Sequence, residues 1–176
     1  LTNLLKKRQI TAYELDSVSG SEALLESADV SAVDPISLLF QTGYLTIKKI
    51  DTSQPTRPKY FLSYPNEEVR DSFLKYLLAD YVDKPVFLTE STYTAKLRDA
   101  LEAGDLEAFF RVLSSLFASI PYQIAGTQES YFHTVVHVVL TLTGFVVVHS
   151  EIPTNQGRMD AVLDTGKHVY IFEFKL

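Results

Sequence analysis

The chain has no cysteine, no tryptophan and a single methionine. Without cysteine it has no disulfide framework, no cysteine-ligated zinc site and no thiol nucleophile. This composition suits a reducing compartment, and we expect a cytoplasmic protein. Of the 176 residues, 46% are hydrophobic and 12% are aromatic, which is enough apolar surface for a packed core.

Long apolar runs are also missing. The longest, from Val135 to Val148, is interrupted by His137 and Gly144, whereas a membrane span needs about 20 consecutive apolar residues. We therefore expect no membrane association. The chain opens on Leu1 and has no charged segment followed by an apolar one, so we expect no export signal and a start inside a longer protein.

A surplus of positive charge is absent as well. The chain has 16 basic and 22 acidic residues, for a formal net charge of -6. This balance argues against a protein that holds nucleic acid on a broad basic surface. It leaves room for a metal-dependent nuclease, because a metal site itself gathers carboxylates. No GxxxxGK[ST] phosphate loop is found, so the chain carries no nucleotide site of that type.

The first half of the sequence predicts helices around a β-hairpin. Asp34 and Pro35 are typical of a helix start, and Gly43 is expected to end that helix. The predicted elements are, in order, two short helices within 1–33, a helix from Pro35, strands Tyr44–Ile50 and Lys59–Tyr64, and a helix after the Asn66 cap.

This helix, hairpin, helix order resembles a winged helix, a fold that often binds DNA. The last helix, however, offers Arg70 and Lys75 against four acidic residues, Glu67, Glu68, Asp71 and Asp80. A solvated structural helix is the favoured interpretation. The basic triplet at positions 6–8 is likewise interpreted as an exposed helix face.

The second half predicts helices followed by three strands. A break is expected around Pro85, which sets domain boundaries of 1–85 and 86–176. The predicted elements are helices Thr92–Ala103, Asp105–Ser119 and Thr127–Thr143, then strands Phe145–Ile152, Gly157–Leu163 and His168–Phe174. The fold class is α+β, with a winged-helix-like first part and a partial αβββ core in the second.

Three charged residues are predicted to converge on the last hairpin. If the turn after Asp164 has an even number of residues, Asp160 lies opposite Ile171. Glu173 and Lys175 then share the face of Asp160, because side chains alternate with a period of two. An odd loop would send Asp160 to the other face.

Apolar residues on both faces of these strands indicate burial, and buried charges need a partner or a metal. A structural alternative is therefore a buried Glu173 paired with Arg158 or Lys175. A zinc site on His133 and His137 is disfavoured, because Thr134 stands where the HExxH motif has glutamate.

The segment Gly157-Arg158-Met159-Asp160, followed after twelve residues by Glu173-Phe174-Lys175, resembles the D…ExK signature of the PD-(D/E)xK nuclease superfamily. The segment starting at Glu129 resembles the first core helix of that superfamily. The resemblance implies metal-dependent hydrolysis of nucleic acid, DNA rather than RNA, with Mg²⁺ or Mn²⁺. It implies Asp160 and Glu173 as metal ligands and catalytic residues, and Lys175 as the residue that orients water.

The resemblance also implies Glu129 as a third metal-binding carboxylate and Arg158 as a phosphate contact. From Leu39 to Val69 the chain looks like bacterial proteins in which an AAA-ATPase-like domain precedes a C-terminal PD-(D/E)xK domain. The expected ATPase part lies outside this chain, and so do the final helix and strand of the nuclease core.

An incomplete core has two predicted consequences. The last strand is expected either to expose a hydrophobic face or to bring about self-association. The alternative to a nuclease is a non-catalytic assembly or interaction module that uses a degenerate nuclease-like scaffold.

Overall fold

The computed structural model describes residue 5 and residues 14–24, 34–120, 129–154 and 157–173. Within these ranges, the side chains at 14, 24, 129–133, 146–154 and 157–160 are outside the description. The chain divides into two compact units, Leu1–Phe73 and Leu74–Leu176. The expected domain boundary after residue 85 stays a prediction. The mixed helix and strand content confirms the α+β class.

The first unit contains a three-stranded antiparallel sheet in the order β1-β3-β2. Its elements are a 3-10 turn Glu14–Asp16, β1 Val18–Gly20, a 3-10 turn Glu22–Leu24, α1 Pro35–Gln41, β2 Thr46–Asp51, β3 Lys59–Ser63 and the start of α2 Glu67–Tyr81. The predicted helix, hairpin, helix order is confirmed. β1 was not predicted, and two short helices were expected in that region.

Local capping explains the helix ends of this unit. The Asp34 carboxylate accepts a hydrogen bond of 2.8 Å from Ser37 N, and Pro35 follows at the first helical position. Gly43 has a φ of 81° just after α1. Asn66 Oδ1 accepts a bond of 2.9 Å from Val69 N at the start of α2. These local signals are why α1 and α2 were predictable.

The second unit places helices before a second three-stranded sheet, ordered β4-β5-β6. Its elements are the end of α2, α3 Val86–Thr89, a π-helical turn Glu90–Thr94, α4 Ala95–Ala103, α5 Leu106–Ala118, α6 Glu129–Leu142, β4 Val146–Thr154, β5 Gly157–Asp164 and β6 Val169–Phe172. The predicted order of helix and three strands is confirmed.

A hydrophobic core joins the helices of this unit to its sheet. The apolar residues Val135, Val138, Val139 and Leu142, which repeat at helical spacing on α6, are each exposed by 5% or less. The most deeply buried side chains of the unit include Leu97, Leu101, Phe109, Leu116, Val135, Val138, Val139, Leu140 and Leu163. Arg98 Nε also donates a 2.7 Å hydrogen bond to Thr143 O at the end of α6. This core fixes the strands that carry the candidate site.

Candidate metal-binding hairpin

The β5–β6 turn closes through its own polar groups. Thr165 N donates to His168 O at 3.0 Å, and Thr165 Oγ1 accepts from His168 N at 3.0 Å. Asp164 Oδ1 accepts from Gly166 N at 2.7 Å. Gly166, with a φ of 78°, and Lys167 therefore form the two-residue tip of the hairpin.

This turn corrects the predicted register. Val162, not Asp160, lies opposite Ile171, and Ala161 lies opposite Phe172. The prediction closed the turn with the pair of Asp164 and Lys167, whereas the hydrogen bonds of the loop join Thr165 and His168. Each residue of β5 therefore lies opposite a residue two positions further along the chain than predicted. A shift of two residues leaves every side chain on its predicted face.

One face of the hairpin packs against the helices. Ala161, Leu163 and Phe172 are exposed by 7% or less. The Phe172 ring lies 5.6 Å from that of Phe109 on α5. Tyr170 Oη donates a 2.8 Å hydrogen bond to Leu101 O at the end of α4. These contacts attach the hairpin to the α4–α5 corner.

His168 extends the same attachment beyond the strand. A Cβ atom added to Gly104, the residue that ends α4 with a φ of 71°, would lie 3.4 Å from His168 Nε2. The positive φ therefore favours glycine at this position, and its Cα lies close to the His168 ring. The sequence alone gave no signal for this contact or for the bond between Tyr170 and Leu101.

The opposite face is open to solvent, which corrects a second expectation. Val169 and Ile171 are each 64% exposed, and Glu173 is exposed as well. The strands were predicted to be covered on both faces. The argument that Glu173 is a costly buried charge therefore fails, and the burial assumed in the alternative of a Glu173 ion pair is wrong. The pairing itself involves Arg158 or Lys175, whose side chains lie outside the described part of the structure. The expected exposure of a hydrophobic face is confirmed, while self-association stays a prediction.

The predicted site residues are described to different extents. Asp160 and Arg158 belong to β5, and Glu129 is the first residue of α6, but their side chains are outside the described part of the structure. Glu173 directly follows β6, and Lys175 lies outside the described residues. No group of three or more acidic, histidine or cysteine side chains that could hold a metal is found among the described residues.

The disfavoured zinc site also falls partly outside this description. Thr134 is 4% exposed on α6, and the side chain of His133 is not described.

Among the described residues, no helix is long and apolar enough to span a membrane.

Comparison with known proteins places this hairpin in a family context. Residues 127–176 match the family model of the PD-(D/E)XK nuclease superfamily. The chain is also 33% identical, over 181 aligned positions, to an uncharacterized protein encoded in the vnfD 5' region of Azotobacter chroococcum mcd 1. The alignment covers 100% of this chain and 34% of that relative, so the chain spans about a third of the relative's length. No solved structure matches the chain.

Proposed function

We propose that this protein hydrolyses phosphodiester bonds of nucleic acid with a divalent metal held by Asp160 and Glu173. The observation that carries the proposal is the register of the β5–β6 hairpin. Ala161 lies opposite Phe172, so the same register continued by one residue pairs Asp160 with Glu173. The match of residues 127–176 to the PD-(D/E)XK nuclease superfamily supports a nuclease-like scaffold in this segment.

Direct opposition suits a shared metal ion better than the diagonal relation expected from the sequence. Opposed residues of an antiparallel pair have Cα atoms about 4.5–5.5 Å apart and side chains on one face. Two carboxylates at that separation reach one ion at about 2.0–2.1 Å from each oxygen. Carboxylate oxygens are the ligands that Mg²⁺ and Mn²⁺ prefer, so the donor set fits these ions.

The open face suits a polymeric substrate. Glu173 is exposed beside Val169 and Ile171, so a nucleic-acid strand has access to this side of the hairpin. Magnesium usually keeps several waters and one or two carboxylates in its coordination shell. The open face at Glu173 leaves room for both water and phosphate.

A metal bound there would polarise the scissile phosphate and lower the pKa of the attacking water. We assign Lys175 to orient that water, since it follows Glu173 at the two-residue spacing of one strand face. Arg158 is assigned to a phosphate oxygen, which a guanidinium binds in a bidentate manner. Glu129, at the start of α6, is assigned as a third carboxylate. DNA is the proposed substrate in preference to RNA.

A cleavage assay tests this function. Purified protein is incubated with supercoiled plasmid DNA, or with RNA, in Mg²⁺ or Mn²⁺. We expect Asp160→Asn, Glu173→Gln and Lys175→Ala each to abolish metal-dependent cleavage. Asp164→Asn is the matched control, because it removes the same charge from the same strand face and keeps an oxygen that accepts from Gly166 N. Cleavage that persists in the Asp160→Asn protein would refute the assignment.

The exposed Val169 and Ile171 favour a second candidate, a non-catalytic interaction module. Side chains of this kind on an open sheet face are typical of a surface that another protein covers. The two candidates differ in one result. A module of this kind would leave plasmid and RNA intact in both metals, with wild-type and variant proteins behaving alike.

A further inference from the structure

The open face of the sheet in the first unit gathers two lysines around one aromatic ring. Phe61 of β3 lies opposite Lys49 of β2 and opposite Ser19 of β1. Lys59 precedes Phe61 by two residues and shares its face. The Nζ atoms of Lys49 and Lys59 lie 5.7 Å and 5.3 Å from the centre of the Phe61 ring. Both lysines are exposed.

A β-bulge directs Lys49 to this face. Ile47 lies opposite Leu62, which is 1% exposed on the buried face, and Lys49 lies opposite Phe61, so Lys48 is the extra residue. The Lys48 Nζ donates a 2.9 Å hydrogen bond to Pro65 O. Without the bulge, Lys48 would oppose Phe61 and Lys49 would fall on the buried face. The irregularity is what brings Lys49 beside Lys59.

The two ammonium groups lack a matching set of carboxylates. Among the residues that the structure describes, neither lysine takes part in a salt bridge. Asp51, opposite Lys59, is the acid of the β2–β3 strand pair. Its pKa is lowered first by a hydrogen bond from Ser53 N and further by Lys49 and Lys59. One carboxylate leaves this pair of lysines with a local excess of positive charge.

The loop beside this face adds a further cation. A surface pocket of about 540 Å³ has Lys59, Arg57 and Glu22 among its lining residues. Arg57 is exposed. The hairpin thus carries three cations, Lys49, Lys59 and Arg57, against the two nearby carboxylates of Asp51 and Glu22. A surface with an excess of cations is complementary to the phosphates of a nucleic-acid strand.

We propose that Lys49, Lys59 and Arg57 contact the phosphate backbone of a nucleic-acid strand. The choice of nucleic acid over another polyanion rests on the proposed function, because a nuclease must hold its substrate. In a winged helix, one helix enters the groove of DNA. Here the helix α2 begins with the acidic residues Glu67 and Glu68, so the proposed contact is made by the cations of the hairpin instead. The contact is sequence-independent, because phosphates carry no base identity.

Binding without cleavage tests this surface. Fluorescence anisotropy of a labelled oligonucleotide is measured with the 176-residue chain in EDTA, over a range of salt concentrations. We expect Lys49→Gln/Lys59→Gln to weaken binding about tenfold or more near 0.1 M salt. The slope of log K against log salt should fall in magnitude by about 1.4–1.8, for two lost phosphate contacts.

A second double variant controls for net charge. Lys96→Gln/Arg111→Gln also takes the formal charge from -6 to -8, but both are exposed residues of the helices α4 and α5. We expect this protein to bind like the wild type. Equal weakening in both double variants, unchanged binding by Lys49→Gln/Lys59→Gln, or binding of anionic phospholipid vesicles but not of oligonucleotide would each overturn the proposal.

The outcome is separable from that of the proposed nuclease. If lysine-dependent binding is observed while no metal produces cleavage, the surface stands and the catalytic proposal fails. If plasmid is cleaved but oligonucleotide binding ignores Lys49 and Lys59, the catalytic proposal stands and the surface fails. Asp160→Asn is expected to bind the oligonucleotide in EDTA as the wild type does.

Discussion

Ile171 and Phe172 are neighbours in β6, yet they lie on opposite faces of the hairpin. Ile171 is 64% exposed, whereas Phe172 is 7% exposed and contacts the ring of Phe109. This alternation separates the face that holds the hairpin on the helices from the face that carries Glu173. The two residues therefore give a matched pair for mutagenesis.

Phe172→Ala is expected to destabilise the protein by about 3–5 kcal/mol, because it leaves a cavity against Phe109. Ile171→Ala should change the free energy of unfolding by less than about 0.5 kcal/mol, as surface substitutions usually do. Urea unfolding followed by circular dichroism measures both. Similar costs at the two positions would mean that both faces of β6 are covered in solution.

The hairpin tip gives a second prediction. Gly166→Ala is expected to cost about 1–2 kcal/mol, because an L-residue with a side chain is strained at a φ of 78°. Lys167→Ala, at the next and exposed position of the same tip, is the control and should be nearly neutral. Thermal unfolding of the two variants checks this. An unaffected Gly166→Ala protein would contradict the turn that sets the register.

The raised pKa of Tyr81 predicts that the folded protein loses stability at high pH. Burial, and then the charge of Asp80, raise its pKa to about 12, against about 10 in an unfolded chain. The unfolded state therefore loses the phenolic proton first. This contribution is fully present below pH 10 and is lost as the pH rises towards 12, with a maximum of about 3 kcal/mol.

Urea unfolding at pH 9, 10 and 11 measures this slope. Tyr81→Phe should reduce the slope, and Tyr76→Phe, at a position 67% exposed, should leave it unchanged. Burial also raises the pKa of Tyr64, so part of the slope should remain in the Tyr81→Phe protein. Identical slopes in the wild type and Tyr81→Phe would contradict the burial of Tyr81.

The sequence predicted those elements whose signals are local. α1 has its cap and proline, and α6 has valines at helical spacing. β1 carried no such signal, since Val18–Gly20 is three residues long and forms by pairing with β3. A short strand of this kind depends on a partner that is distant in sequence, so local patterns do not reveal it.

The candidate site was partly predictable for a related reason. The spacing of Glu173 and Lys175 follows from strand periodicity, whereas the partner of Glu173 depends on how the turn closes. Thr165 closes it with its own hydroxyl, and composition did not reveal that choice. The exposure of Ile171 could not be predicted either, because apolar residues on both faces of a strand do not indicate which face the helices cover.

Titration of Mn²⁺ into the protein, followed by calorimetry, tests most directly whether Asp160 and Glu173 form one metal site. We expect a single site in the wild type and in Asp164→Asn, and a loss of affinity of at least about tenfold in both Asp160→Asn and Glu173→Gln. Because the two residues share one ion, the loss of binding free energy in the double variant should be no larger than the sum of the losses in the two single variants. Undiminished Mn²⁺ binding by Asp160→Asn and Glu173→Gln would contradict the account.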